Sequence, residues 1–220
     1  MDRGLFKLVE KFRDDRLKKI NEGKGPCPLG HGKLIIHLVP AQSLRDRLIE
    51  FDLSKMANDV RAFPLFGEKM RAGALGYNLE GRFSQSLASD NPVYSYVQFF
   101  RNMTVEAAES FYLNHEHRRD IPIYDYEEEL FLKTSHYIEH LGFLGVEYPV
   151  IFLLSILGAA KYGILGAPLN KDEMLFVPKE FTEKEHDPLV VLRPTIYQLW
   201  QAAGKEKQPR YGQDGKYNAR

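Results

Sequence analysis

The chain has 220 residues, 44% apolar and 27% charged, which suits one large domain or two small ones with a core that needs no covalent staples. Thirty Lys and Arg offset thirty Asp and Glu, so no global field draws the molecule to nucleic acid or membrane, and any such binding needs a local patch. Cys27 is the only cysteine, which excludes an internal disulfide and a cysteine-based zinc site within one chain and fits a reducing compartment. No apolar run reaches the roughly 18 residues of a membrane span, and the first residues lack a signal-peptide pattern, so a cytoplasmic protein without membrane contact is expected.

Leu5 to Ile20 reads as a helix, because Leu5, Leu8, Val9, Phe12, Leu17 and Ile20 fall on one stripe at helical spacing. Its opposite face carries Lys7, Lys11, Arg13, Lys18 and Lys19, with Glu10, Asp14 and Asp15 between them, and Gly23, Gly25, Pro26 and Pro28 stop it. Leu34 to Val39 predicts a strand ended by Pro40, Gln42 to Val60 a weaker helical stretch in two pieces, and Arg61 to Gly73 a loop. Leu75–Leu79 and Arg82–Leu87 alternate around Glu80-Gly81 as a hairpin. Val93–Arg101 and Thr104–Ala107 continue an antiparallel meander through a turn at Asn102. Asp125 and Glu128 have capping-box spacing for a helix running to about Leu141. Val150–Leu157 predicts a buried strand and Met174–Val177 a short one, and Pro194 is read as the start of a last helix through Ala203. Trp200 shares that helix's apolar face and is expected to be buried, whereas the polar residues from Lys205 onward predict a frayed tail.

These elements imply an α+β fold: an antiparallel sheet of about five to seven strands with packed helices and a helix at each end. Residues 1–204 form a single domain in this reading, and 205–220 a flexible tail.

Motifs for chemistry are sparse. His136, Glu139 and His140 spell the inverted zinc-peptidase pattern on a predicted helix, where two His one turn apart can share a metal and the Glu can activate its water. On the helical wheel, however, Leu130, Thr134, Ile138 and Leu141 form the core face, and both His fall nearly opposite, in solvent. A metal-dependent hydrolase is therefore the second alternative only, and no third ligand is suggested. The segment Gly23–Lys33 fails as a phosphate loop: Cys27 takes the first glycine position, Leu34 follows the lysine, and the helix precedes the strand. His115, His117, Arg118 and Arg119 read as a solvated loop with some capacity to grip phosphate. Tyr94, Tyr96, Phe99 and Phe100 could stack bases on an open sheet face, but at strand spacing they divide between two faces and suit a core.

His37–Pro40 (HLVP), Gly76–Gly81 (GYNLEG), Ser95–Asn102 (SYVQFFRN), Pro149–Gly158 (PVIFLLSILG) and Leu192–Gly204 (LRPTIYQLWQAAG) follow in this order. Together they resemble the C-terminal region of bacterial proteins whose N-terminal half is a Schlafen AlbA-like domain, often labelled ATP-binding or DNA-binding. The likeness runs from about Phe12 to Gly204 and leaves out the AlbA-like core, so no nucleotide chemistry and no functional residues come with it. Met103 also departs from the glycine that often follows the Asn of that hairpin. What the resemblance implies is an accessory domain.

The expectation for function is a non-catalytic binding or interaction module, part of a nucleic-acid-associated or defence-type assembly, with no cofactor, catalytic residue or metal ligand assigned. Its partner is expected to be another protein subunit or domain, met through Leu5, Leu8 and Phe12 unless that stripe packs on the domain's own sheet. The alternative is a nucleic-acid-binding protein acting on its own through Lys7, Lys11, Lys18, Lys19, Arg118 and Arg119.

Overall fold

The computed structural model describes residues 2–46, 51–56, 64–67, 72–86, 94–113, 119–183, 187–206, 210 and 217. The first helix, α1 (Arg3–Asn21), starts where the Asp2 carboxylate accepts the Leu5 N–H at 2.8 Å. It ends where Gly23, at φ 69°, takes the left-handed conformation that returns its N–H to the Ile20 carbonyl. The chain then enters β1 (Lys33–Pro40), a strand buried along its whole length, and the one-turn helix α2 (Ala41–Arg45).

A meander follows: β2 (Ala72–Tyr77), β3 (Gly81–Ser86), β4 (Ser95–Phe100) and β5 (Val105–Glu109). Gly81 is fixed by space as well as by turn chemistry, since a Cβ there would stand 2.0 Å from the Phe99 carbonyl oxygen. The long helix α3 (Ile123–Phe143) leads to β6 (Val150–Leu157), the small hairpin β7 (Gly163–Ile164) and β8 (Ala167–Pro168), then β9 (Glu173–Leu175), β10 (Lys179–Phe181) and α4 (Pro188–Ala202).

Eight strands make one open sheet, all pairings antiparallel, in the order β10-β6-β1-β5-β4-β3-β2, with β9 sharing the β6 edge with β10. The fold is α+β, with one helix N-terminal and one C-terminal. The strand total passes the expected five to seven because β9 and β10 are separate short strands on either half of β6.

Alternation along β1 divides the molecule. Leu34, Ile36 and Leu38 face the main core with α3 and α4, which buries Trp200 among Ile196, Leu199 and Ala203. Ile35 and Val39 face α1. Each large apolar side chain so buried contributes about 1.5–3 kcal/mol. Among the described residues no helix is long and apolar enough to cross a membrane.

Four expectations are corrected. Pro194 lies inside α4, which starts six residues earlier at Pro188, where Asp187 caps the Leu189 N–H at 2.9 Å. The bond that Pro194 cannot make would have gone to the Val190 carbonyl, and the helix runs on without it. Asp125 is a first-turn residue of α3 rather than its cap, since that helix begins at Ile123 after Pro122. The helical stretch expected over 42–60 reduces, among the described residues, to α2 and a single turn at Leu53–Lys55; 47–50 and 57–60 lie outside them. In the tail, Arg210 is buried on α3, bonding Glu128 at 2.6 Å and stacking on Tyr124, while Tyr217 meets Phe131 edge-on. Isolated arginine and tyrosine anchors have no periodicity to reveal them.

Candidate functional site

The densest polar cluster lies between α1 and the sheet. Arg16 projects from the middle of the apolar stripe of α1 and grips Glu106 of β5 with both arms, Nε to Oε2 at 2.7 Å and Nη2 to Oε1 at 2.9 Å. The Tyr96 hydroxyl donates to the same Oε1 at 2.9 Å, and His37 Nε2 donates to Oε2 at 3.0 Å. A carboxylate only accepts, so His37 carries its proton on Nε2 in this contact, while its Nδ1 meets no partner among the described residues. Phe12 stands edge-on to the His37 ring, and Phe100 lies under the Arg16 guanidinium at 4.6 Å. On the outer side Arg16 Nη1 reaches Glu80 at 3.1 Å, which Lys19 also holds at 2.8 Å.

Burial alone would push the Glu106 carboxyl upward, yet the bonds from His37 and Arg16 outweigh it and hold the group at about 2. The same burial and the neighbouring carboxylate drive the Tyr96 hydroxyl well above its ordinary value. A histidine beside a carboxylate is the raw material of general-base chemistry. Here both are fully buried under α1, and neither the groove beside β9 nor the one at Phe51 and Tyr77 is lined by them. What the arrangement does is fasten the first helix to the sheet.

The face toward α3 holds a second buried acid. Glu109 accepts the Tyr112 N–H at 3.1 Å, its other oxygen is unpartnered among the described residues, and burial raises its carboxyl to about 8, with Glu129 adding to the rise. Cys27 is buried too, and that burial pushes its thiol up to about 12, so it is no nucleophile.

Lys7, Lys11 and Lys18 lie within about 40° of one another on the exposed side of α1, at 100° per residue. The exposed Asp14 and Asp15 interrupt them, Lys19 is committed to Glu80, and Arg13, expected on this face, is instead buried with its Nη1 donating to the Phe176 carbonyl at 2.9 Å. Arg119 is exposed far along the chain, and Arg118, like His115 and His117, lies outside the described residues. The structure therefore brings together three of the six suspected phosphate contacts. Leu5 is buried against the sheet among Val9, Val39 and Ile151, Phe12 packs on that same cluster, and only Leu8 is exposed. The apolar stripe thus has its home in the domain's own sheet.

His136 and His140 are half-buried rather than solvated as expected, because α3 packs flank-on and His140 stands edge-on to Phe99 at 5.2 Å. Burial lowers the His140 ring below its ordinary value, and His136 adds to the fall. Glu139 is exposed, and no group of three metal-ligating side chains occurs among the described residues.

Exposed large apolar side chains include Leu132 and Phe143 on α3, Val190 on α4, Leu175 on β9 and Val177 just after it, and, away from these, Tyr77 and Leu79 at the β2–β3 turn, Leu165 between β7 and β8, and Leu8 on α1; Leu175 and Val177 close the first group. Beside Leu175 and Val177 runs a groove of about 450 Å³ that reaches Gln198 and Ala202 of α4. No family model, curated protein or solved structure matches the chain.

Reasoning from sequence missed Arg16, His37, Tyr96 and Glu106. The signal was present: Arg16 sits four residues from both Phe12 and Ile20, inside the apolar stripe, and Glu106 interrupts a short strand of small apolar residues. A charge on each of two core-facing positions predicts that they meet.

Proposed function

We propose that the chain is a non-catalytic interaction module that works beside another protein subunit or domain. The observation that carries this reading is the exposure of large apolar side chains on the two helices α3 and α4: Phe143 is 81% exposed, Val190 70% and Leu132 65%. The polar groups with chemical potential, by contrast, are spent inside the fold, in the Glu106 network under α1. The resemblance to the region that follows a Schlafen AlbA-like core supports an accessory role in a nucleic-acid-associated or defence-type assembly in the cytoplasm. The test is purification of the tagged chain from its own cells, as wild type and as Phe143→Asp with Val190→Asp. Wild type is expected to bring one partner at near-unit ratio, and the double variant to lose it at an unchanged melting temperature. A wild-type chain that elutes as a lone monomer overturns the reading.

Direct nucleic-acid binding is the second reading, favoured by the shared exposed side of Lys7, Lys11 and Lys18. It predicts weak, sequence-indifferent binding to duplex DNA that falls steeply with salt and vanishes when all three become Glu. Binding that survives molar salt contradicts it.

A further inference from the structure

The outer edge of β9 runs beside the groove that reaches α4. The Phe176 N–H bonds to the Leu154 carbonyl at 3.1 Å, and the Asp172 carbonyl accepts the Ala159 N–H at 3.0 Å, so these even-numbered positions turn their backbone toward β6. Strand alternation turns the amides and carbonyls of Glu173 and Leu175 the other way, where they meet no backbone partner among the described residues. Beside them Leu175 is 42% and Val177 53% exposed, and Met174, Gln198 and Ala202 complete a wall of mixed but mainly apolar character.

We propose that this edge takes a short extended segment of a partner protein as an added strand, with apolar side chains at alternate positions entering the groove. Main-chain groups supply the pairing and the groove supplies the preference, as in other cases of strand addition. The size of the site selects this occupant over a second copy of the chain. Ten residues line the groove, whereas a stable dimer takes roughly 20–30 residues a side.

The proposal rests on the interaction-module reading, and its test is kept separate from that reading's own. The probe is an acetylated, amidated hexapeptide of alternating Thr and Val, titrated into the isotope-labelled full chain. The expected result is amide shift changes centred on Glu173, Leu175, Gln198 and Ala202. Methylating alternate backbone nitrogens of the peptide should weaken binding at least tenfold, and Val177→Asp should do the same. The methylated peptide leaves the protein untouched, so a misfolded Val177→Asp variant does not blur the answer. Equal binding of the methylated peptide, shifts located elsewhere, no binding at all, or a chain that dimerises through these residues would each overturn the proposal. If the peptide fails while a partner is still captured through Phe143 and Val190, the edge proposal falls and the interaction reading stands. If the peptide binds at β9 but no partner comes from the cells, the reverse holds.

Discussion

Glu109 gives the domain a stability that declines as pH rises. In the unfolded chain its carboxyl ionises near 4.5, whereas burial holds the folded group at about 8. The folded state therefore keeps a proton that the unfolded state has released across this window. The sign follows: stability is highest below about 4.5, falls through the window and levels off above about 8. At about 1.4 kcal/mol per pH unit the whole displacement is worth about 5 kcal/mol, and roughly 3 kcal/mol is already lost at pH 7. Glu109→Gln keeps the shape and removes the charge. Urea unfolding of both proteins at half-unit steps from pH 5 to 9 measures the difference directly. The variant is expected to gain on wild type by about 1.4 kcal/mol per unit up to pH 8 and then run parallel to it. Stability curves that run parallel throughout would refute the reasoning, because Glu109 would then titrate alike in both states.

Glu106→Ala strands the Arg16 guanidinium in the interior and should cost about 3–5 kcal/mol in chemical unfolding, whereas Arg16→Met with Glu106→Leu should recover most of that loss. A double variant as unstable as the single one would show that the pair contributes more than mutual neutralisation. Cys27 should resist a thiol reagent at pH 8 in the native chain and react at once in denaturant; labelling of the native protein within seconds would contradict its burial.

The elements with strong periodicity were legible from residues alone. The apolar stripe of α1, the continuous apolar run of β6 and the Glu80-Gly81 hairpin needed no tertiary information, because each pattern repeats within one element. The start of α4 was not legible in the same way: Asp187-Pro188 and Arg193-Pro194 both offer a proline at a first turn, and only packing of Leu192 into the core decides for the earlier one. The polar network escaped for a related reason. Arg16 on the wheel of α1 looks like a blemish until Glu106, ninety positions away, is known to face it. The β9 groove likewise depends on α4 lying beside a strand from which β10 separates it in the chain, a juxtaposition that no local pattern encodes.

The ion pair that closes α1 over the sheet also sets a schedule for synthesis. Arg16 leaves the ribosome 90 positions before Glu106 does, an interval of about 5–18 s at about 5–20 residues per second. Throughout that interval the helix has no sheet to lie on, and its apolar stripe faces the surrounding medium. An arginine at the centre of the stripe keeps the waiting segment hydrated and discourages stray association. The same guanidinium becomes a cohesive element once its carboxylate arrives, so one residue serves first as a guard of the nascent chain and later as its clasp.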